Sequence, residues 1–441
     1  MSSVSKNTSL TIDKQRKKQK IMLFDLDIRG HHAGYIQHLI TYWRDRLSAT
    51  LRDRTSVLPG SLSIVVVPEF LKQHSSVVEI AKNAPEVNIS FVPISVEEEA
   101  NLKTVSSASD RLVRSFQEWG LIKKYSRLLE VDHCMLMFFD SVFTRMSLGV
   151  KPPCALSGIF FRPVSHYSGF ANYQPSSSER FWELREKFGL SRILNKGYFT
   201  NFFSLDPLAV NYFSKLGSES NIVYLPDPVK IYPSSSQAIA ELQGELKIET
   251  GRKVCLLFGA LSQRKGIYEL LEAIETLSPS ECQKLCLLLV GPVDGEDRDK
   301  LSALVADISQ SQPIQIITRH QFIIETEIQP YFEISDLILA PYQRHIGMSA
   351  ILVRAATAKK PVLSADYGLM GEITRIHQLG ITVDAAVPQE IADGLIRFIG
   401  DPAENFCDYA KMQQFAEENS AEKFAEVIFE NILAYNSSDK I

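Results

Sequence analysis

Short apolar runs alternate along the chain with amphipathic segments. The first run, residues 21–28 (IMLFDLDI), leads into a glycine-bearing loop at 29–34, after which apolar residues recur at helical spacing from Tyr35 to Trp43. This order predicts a strand, a loop and a helix. A helix is also predicted at 109–129, and further strands are predicted at 63–67, 89–93, 133–139, 156–161, 202–205 and 222–225. Strands that alternate with helices indicate a parallel sheet covered on both faces.

A stretch rich in proline and serine, residues 226–236, interrupts this pattern and reads as a linker. The strand, loop and helix order then restarts at 254–258. Further strands are predicted at 285–290, 314–317, 337–339, 361–364 and 381–383, and the end of the chain is predicted as one helix over 416–435. The pattern therefore predicts an α/β protein with two doubly wound units.

These boundaries divide the chain into a disordered polar tail (1–20), an N-terminal domain (21–230), a C-terminal domain (231–415) and a final helical segment (416–441). In doubly wound sheets, ligands bind beyond the carboxyl ends of the strands. If two such units face each other, their strand-to-helix loops line one interdomain cleft. We therefore expect the functional residues in those loops.

Composition excludes some classes of function. The 441 residues are 45% hydrophobic and 22% charged, as in ordinary globular proteins. The net charge of −5 gives no overall basic field, so no nucleic-acid partner is expected. Of the six cysteines, Cys282 and Cys286 come closest to metal-ligand spacing. No second pair lies nearby, so buried thiols, no metal and a reducing, cytoplasmic location are predicted.

The N-terminus carries basic residues at 14, 16, 17, 18 and 20 and shows no signal-peptide pattern. No apolar run approaches the ~20 residues of a membrane span. The basic run is interpreted as a solvated tail. The alternative is a weak peripheral contact with an anionic membrane.

The strongest candidate site is the segment 254–276 (VCLLFGALSQRKGIYELLEAIET). Arg264 and Lys265 supply positive charge, Gly266 permits close backbone approach, and the following helix contributes N–H donors. These features suit a diphosphate, and the same cations would stabilise a departing diphosphate. A solvated Arg-Lys pair beside a helix start is the alternative interpretation.

The segment 335–373 (SDLILAPYQRHIGMSAILVRAATAKKPVLSADYGLMGEI) resembles the donor domain of the "group 1" family of retaining GT-B glycosyltransferases. The resemblance lies in an aspartate-led strand ending in proline, a glycine segment with a helix, a Lys-Pro-Val strand and a glycine loop ending in Glu372. The loops at 30–34, 225–229, 259–266 and 290–292 match other parts of the family pattern. The resemblance covers residues 21–435.

The resemblance implies two Rossmann-like domains, retaining sugar transfer and a final helix that crosses back to the first domain. The C-terminal domain would bind a nucleoside-diphosphate sugar as substrate, with no separate cofactor. The N-terminal domain would bind a glycan, lipid or small-molecule acceptor. The donor-binding residues implied are Gly259, Ser262, Gly266, Gly291, Gly347, Met348, Ser349 and Glu372.

The sequence departs from the family pattern at several positions. The family's paired glutamates fall at Ile346 and Arg354, which cannot accept hydrogen bonds from sugar hydroxyls. The arginine that usually follows the first glycine falls at Ala260, and Arg264 would supply its charge. The family's histidine after the fifth strand falls near residues 161–162. The donor sugar and base therefore stay open.

The N-terminal loop holds Gly30, His31, His32 and Gly34. His31 and His32 are predicted to place an imidazole at the mouth of the cleft, where it would bind the acceptor or serve as a base. His32 is the catalytic candidate, and Gly30, His31 and Gly34 are predicted on the acceptor side. A polar loop histidine without such a role is the alternative. Arg162, after the fifth strand, is predicted to meet the phosphates or the acceptor from the opposite domain.

Two rival hypotheses remain. Asp25 and Asp27 share one strand face and resemble the opening of a haloacid-dehalogenase phosphatase, in which the first aspartate is the nucleophile. The departures at Ile346 and Arg354 would also fit a non-catalytic relative that keeps the fold as a binding or partner subunit.

Overall fold

The computed structural model describes residues 19–53, 60–161, 163–170, 173, 175–217 and 219–434. Within them the chain forms two parallel sheets, one of seven strands in the order β3-β2-β1-β4-β5-β6-β7 and one of six in the order β10-β9-β8-β11-β12-β13. The strands are β1 (Lys20–Phe24), β2 (Ser61–Val66), β3 (Ile89–Pro93), β4 (His133–Leu136), β5 (Ala155–Phe160), β6 (Asn201–Ser204), β7 (Asn221–Tyr224), β8 (Lys253–Phe258), β9 (Leu285–Val290), β10 (Gln315–Arg319), β11 (Leu337–Ala340), β12 (Val362–Ala365) and β13 (Gly380–Val383).

Helices connect the strands and cover the sheets. They are α1 (His32–Asp53), α2 (Pro68–Gln73), α3 (Ser75–Lys82), α4 (Val96–Asn101), α5 (Ala108–Leu128), α6 (Phe143–Ser147), α7 (Ser177–Asn195), α8 (Pro207–Ser214), α9 (Ser236–Leu246), α10 (Ile267–Thr276), α11 (Pro279–Cys282), α12 (Gly295–Ser311), α13 (Glu325–Glu333), α14 (Ala350–Thr357), α15 (Gly368–Ile376), α16 (Pro388–Gly400), α17 (Tyr409–Glu418) and α18 (Ala421–Ala434). None of the helices in the described ranges is long and apolar enough to cross a membrane.

Every predicted strand is present. Most bounds differ by two residues or fewer, but two predicted strands are too long: 21–28 ends at Phe24, and 133–139 ends at Leu136. In both places buried side chains, such as Leu26 and Phe139, continue beyond the last strand residue. Apolar character there reflects packing of the loop against the core rather than strand pairing.

The end of the chain corrects the sequence interpretation. The helix predicted over 416–435 is two helices, α17 and α18, separated at Asn419 and Ser420. The Asn419 amide donates to the Phe415 carbonyl at 2.8 Å, and Ser420 Oγ accepts from the Lys423 N–H at 3.2 Å. The Asn419 bond competes with the helical ones at the end of α17, and the Ser420 hydroxyl caps the start of α18, so one helix ends and another begins.

The two helices pack in different cores. Met412 and Phe415 of α17 lie in the core of the second sheet. Phe424, Ile428 and Phe429 of α18 lie in the core of the first. The chain therefore returns to the first sheet at residues 419–420.

The chain crosses between the two sheets near Val229 and again at residues 419–420, and these two crossing segments lie side by side. Val229 N donates to Asn419 O at 3.1 Å, and Val229 forms a parallel bridge with Ser420. Tyr224 Oη donates to Asn419 Oδ1 at 3.2 Å, and Tyr35 Oη donates to the Asp227 carboxylate at 2.5 Å. Both crossing segments are thus bound to the first domain.

Residues 1–18, with most of the basic run, lie outside the described residues. Lys20, the last residue of that run, begins β1, and its Nζ pairs with Glu130 at 3.0 Å.

Candidate functional site

Neighbouring strands of the second sheet bring the predicted phosphate loop together. β8 lies between β9 and β11, so the loops that follow these strands meet at one edge. Gly259 N donates to Val290 O at 2.9 Å, and Gln343 N donates to Arg264 O at 2.9 Å. The loop is therefore held by main-chain bonds on both sides.

Two glycines in these loops are required by geometry. Gly266 has φ +72°, and a Cβ there would overlap the Pro341 carbonyl. Gly291 has φ +140°, and a Cβ there would overlap the Gly259 carbonyl. Side chains are excluded at both points, because the neighbouring loops approach each other so closely there that only glycine fits.

The two cations of the loop have different surroundings. Lys265 is only 9% exposed, and its Nζ donates to the Phe258 carbonyl at 3.2 Å and to Tyr342 Oη. Arg264 is exposed, with its guanidinium carbon 5.7 Å from the centroid of the Tyr342 ring. Ser262 precedes the turn and makes no capping bond. An ammonium has three donors, so Lys265 fixes the loop and keeps one donor, whereas Arg264 is open to a ligand.

The loop before α14 joins the same site. Ser349 occupies the N-cap position of α14, but its hydroxyl does not cap the helix. Ser349 Oγ instead lies 3.2 Å from Tyr342 Oη. Gly347 and Met348 lie in the same turn, where His345 Nε2 is 3.3 Å from Met348 O. Tyr342, absent from the sequence prediction, thus links the Lys265 turn to this loop.

Glu372 lies in the first turns of α15. Its carboxylate accepts from Arg375 Nη2 at 2.7 Å, and Arg375 also pairs with Asp366. Burial raises the pKa of Glu372. The predicted donor contact would therefore have to share this carboxylate with an arginine.

The positions that depart from the family pattern are apolar or buried. Ile346 packs against Tyr167, Phe170 and Tyr173 of the first domain. Arg354 is buried in α14, and its Nη1 has no hydrogen-bond partner among the described residues. Burial lowers the pKa of Arg354. Neither residue offers the carboxylate that a sugar or ribose hydroxyl would use.

In the first domain the structure reveals a buried Asp-His pair. His32 begins α1, and its Nδ1 lies 2.8 Å and 3.0 Å from the two oxygens of Asp25. Its Nε2 lies 3.9 Å from Asp27 Oδ2. Burial opposes charge on His32, but the hydrogen bond and the attraction of Asp25 outweigh burial and raise its pKa. Burial also raises the pKa of Asp25, so the pair keeps a proton to higher pH.

The structure distinguishes the two histidines of the N-terminal loop. His32 is buried, and the exposed imidazole is His31, whose ring stacks 5.1 Å from Phe161. Gly34 belongs to α1, so the loop is shorter than predicted, while Gly30 has φ +64° in an exposed turn. Arg162 lies outside the described residues.

A cavity of about 660 Å³ opens beside this pair in the first domain. It is lined by the ends of β1 and β4 and by the start of α5, including Asp25, Asp27, Arg29, Lys103, Val105, Arg111, Arg114, Phe138 and Thr144. Lys103 pairs with Asp110, and Arg114 pairs with Glu118. Among the described residues, Arg29 and Arg111 have no ion-pair partner. Cations and carboxylates together suit a polar ligand.

The geometry does not favour the phosphatase hypothesis. Both oxygens of Asp25 are engaged by His32, and one also accepts from Asp27 N at 3.1 Å. A carboxylate held in this way orients an imidazole rather than attacking a phosphoryl group. Within the described ranges, no three His, Cys, Asp or Glu side chains are grouped to hold a metal ion.

Replacing Gly291 by alanine should lower the free energy of unfolding by ~1–3 kcal/mol and weaken nucleotide binding, because the loop must shift away from the new Cβ. Gly244→Ala is the matched control. Gly244 lies exposed in α9 with open space around it, so alanine there should stabilise the protein by ~0.5–1 kcal/mol. Urea unfolding and nucleotide-induced thermal shifts measure both effects. Equal stability of the two variants would contradict the proposed role of Gly291.

One protein family matches part of the chain. Residues 238–421 match the profile of the family "Glycosyl transferases group 1". A Bacillus subtilis (strain 168) protein provisionally named as the teichuronic acid biosynthesis glycosyltransferase TuaC is 22% identical over 182 residues. That match spans 41% of this chain and 42% of the relative, so the chain covers less than half the length of this relative.

Solved structures show the same fold over nearly the whole chain. Anabaena HepE, crystallised with UDP and glucose, aligns with a TM-score of 0.59 and 13% identity, covering 95% of this chain and all of HepE. Sucrose-phosphate synthase from Thermosynechococcus elongatus aligns with a TM-score of 0.60 and 14% identity, covering 95% of this chain and all of that one. The predicted GT-B architecture is confirmed.

Proposed function

We propose, from the membership of residues 238–421 in the group 1 glycosyl transferase family, that this protein transfers a sugar from a nucleoside diphosphate to an acceptor hydroxyl. The observation that carries the proposal is the turn holding Arg264 and Lys265 at the carboxyl ends of β8, β9 and β11. It combines fixed positive charge with glycines at which the neighbouring loops approach closely. The UDP and glucose bound by HepE support a nucleoside-diphosphate donor.

In this proposal the diphosphate lies between the Lys265 turn and the N-terminus of α14. As the bond between the sugar carbon and the phosphate oxygen breaks, negative charge develops on the diphosphate. Arg264 and the remaining donor of Lys265 stabilise that charge, and their positions are set before the reaction begins. Tyr342 keeps the two loops at a fixed separation through its contacts with Lys265 and Ser349.

The acceptor is proposed to bind in the cavity of the first domain. His32 lies beside the cavity wall, with its Nε2 3.9 Å from Asp27 Oδ2 of that wall. Once the imidazole is neutral, Nε2 can accept a hydrogen bond from a polar acceptor. Asp25 acts as a positioning residue, because it fixes the ring through Nδ1. We propose that the anomeric configuration is retained, as the family resemblance implies.

A donor screen with the purified protein tests the function. Nucleotide release should be seen with one or a few of the UDP-, GDP- and ADP-sugars, and release should rise when the correct acceptor is added. The Arg264→Ala/Lys265→Ala double variant is the control, and it should release nucleotide at background rate. A thermal shift with nucleotide sugars but no turnover with any donor and acceptor would support a non-catalytic binding subunit instead.

Proton NMR of the first product tests retention separately. The coupling constant of the anomeric proton reports whether the new linkage has the configuration of the donor. An inverted product would overturn retention but leave sugar transfer intact. It would instead indicate that the acceptor attacks from the face opposite the diphosphate.

A further inference from the structure

Helix α7 of the first domain presents large apolar side chains to solvent. They are Phe181, Trp182, Leu184 and Phe188, exposed by 62%, 42%, 67% and 74%. Scattered single apolar residues on a surface are ordinary, whereas a group of this size on one helix marks an interaction site.

The charged residues of α7 are distributed unevenly around the helix. Of its acidic residues, Glu183 is buried, and Glu186 accepts from the backbone N–H groups of Val164 and Ser165 at 2.8 Å and 2.9 Å. Glu179 is used in the capping box at the start of the helix. The remaining charges on the exposed side are cationic, at Arg180, Arg185, Lys187 and Arg192. This basic surface contrasts with the net charge of −5 of the whole chain.

The same character continues onto the neighbouring helices. Leu112, Val113 and Phe116 of α5 are exposed. The Arg145 guanidinium of α6 lies 4.7 Å from the Phe116 ring centroid, and Arg185 of α7 donates to Thr144 Oγ1 of α6 at 3.2 Å. We call the exposed surface of α5, α6 and α7 the α5–α7 face.

We propose that the α5–α7 face docks the protein on an anionic lipid surface. Aromatic and aliphatic side chains enter the boundary between headgroups and acyl chains, while arginine and lysine pair with lipid phosphates. The excess of cations around the apolar group fits negatively charged lipids. Docking concerns binding alone and does not depend on the proposed sugar transfer.

The position of the cavity agrees with docking. Val105 and Arg111, beside the exposed residues of α5, line the cavity, as does Thr144 of α6, the partner of Arg185. A membrane that covers the α5–α7 face would therefore lie next to residues that line the cavity.

Trp182 offers a native reporter for the test. The chain has three tryptophans, and the other two, Trp43 and Trp119, are each only 2% exposed. Full-length protein is mixed with vesicles of phosphatidylcholine alone or with about one third phosphatidylglycerol. Binding to the anionic vesicles should be at least tenfold tighter. Trp emission should shift to shorter wavelength and be quenched by brominated acyl chains. In Trp182→Phe the quenching should disappear while cosedimentation persists.

Two pairs of variants with matched controls locate the surface. Phe181→Ser/Phe188→Ser and Arg185→Glu/Lys187→Glu should each lower vesicle affinity at least tenfold. Phe322→Ser, at a residue 76% exposed in the second domain, and Lys284→Glu/Lys300→Glu, also in the second domain, should bind like the parent. Circular dichroism confirms that each variant is folded.

Three outcomes would overturn the proposal. One is equal binding to neutral and anionic vesicles. Another is undiminished binding by both variant pairs, which would place the contact elsewhere, for example at the basic residues 14–20. The third is no vesicle binding together with self-association that Phe181→Ser/Phe188→Ser abolishes, which would make the face an interface between copies of this chain.

Discussion

Lys265→Ala should lower turnover at least tenfold, and the loss can reach ~10²–10³ if Lys265 donates directly to the developing oxyanion. The reason is that Lys265 both carries a positive charge and holds the turn in place. Its Nζ is bonded to the Phe258 carbonyl and to Tyr342 Oη in a buried setting. Removal takes this donor from the Phe258 carbonyl and removes one partner of Tyr342 Oη, which also contacts Ser349 Oγ. The free energy of unfolding should therefore also fall by ~1–3 kcal/mol.

Arg264→Ala tests the effect of the positive charge without moving the turn. The Arg264 side chain is exposed and takes no part in the buried side-chain bonds of the turn. The variant should lower turnover at least tenfold with an unchanged melting temperature. Tyr342→Phe is the complementary variant, which keeps both cations but breaks the link between Lys265 and Ser349. Turnover at saturating donor and thermal melts are measured for all three. Near-normal turnover in both Lys265→Ala and Arg264→Ala would refute the assignment of the leaving-group site.

The second large effect is expected at His32. His32→Ala should lower kcat/KM for the acceptor at least tenfold, and by ~10²–10⁴ if His32 takes the acceptor's proton. Slow hydrolysis of the donor without acceptor should be unaffected, because His32 is proposed to contact only the acceptor. His31→Ala is the matched control at the neighbouring exposed imidazole, and it should have a smaller effect. Equal losses in the two reactions would argue for a structural role of His32.

The pH profile tests the Asp25-His32 pair. Only the neutral imidazole can accept a hydrogen bond, so activity should rise as pH rises through the pKa of His32, which Asp25 raises against the opposing effect of burial. Asp25→Asn removes that attraction, and burial then lowers the pKa, so the acid limb should move to lower pH. Rates across pH 5–8 for the parent and Asp25→Asn make the comparison. An acid limb that stays in place would show that the pair does not control the reaction.

Much of the fold could be predicted because buried parallel strands have a recognisable sequence pattern. In β8, β9 and β11 a short apolar run leads directly into a loop with glycine or proline, and both features are local in sequence. The break at Asn419 could not be predicted, because apolar residues keep helical spacing on both sides of it. Only the side-chain bonds of Asn419 and Ser420 end one helix and begin the next.

Residues of the candidate site that are contiguous in sequence could be grouped from the sequence, whereas residues that are separated could not. The turn from Gly259 to Gly266 is one segment of chain, so its charge and glycines are visible together. Asp25 and His32 are seven residues apart, and only the conformation of the intervening loop turns the imidazole back onto the carboxylate. Asp25 was weighed as a nucleophile because spacing alone does not show what a side chain contacts.

The α5–α7 face shows a different limit. Phe181, Trp182 and Phe188 would be assigned to a core by any hydrophobic pattern, since pattern reports apolar character and not what covers it. Their exposure depends on which side of α7 packs against the core, and the buried side carries Leu190 and Ile193.

The adjacent crossing segments at Val229 and Asn419 have a mechanical consequence. Because the two crossing segments lie along one line, one domain can rotate about that line, whereas sliding would separate the paired segments. The bonds of Tyr35 to Asp227 and of Tyr224 to Asn419 fasten the pivot to the first domain. Opening and closing are then reduced to a single angle, and a group carried by the second domain sweeps one arc toward the first. The pivot would set where that arc ends.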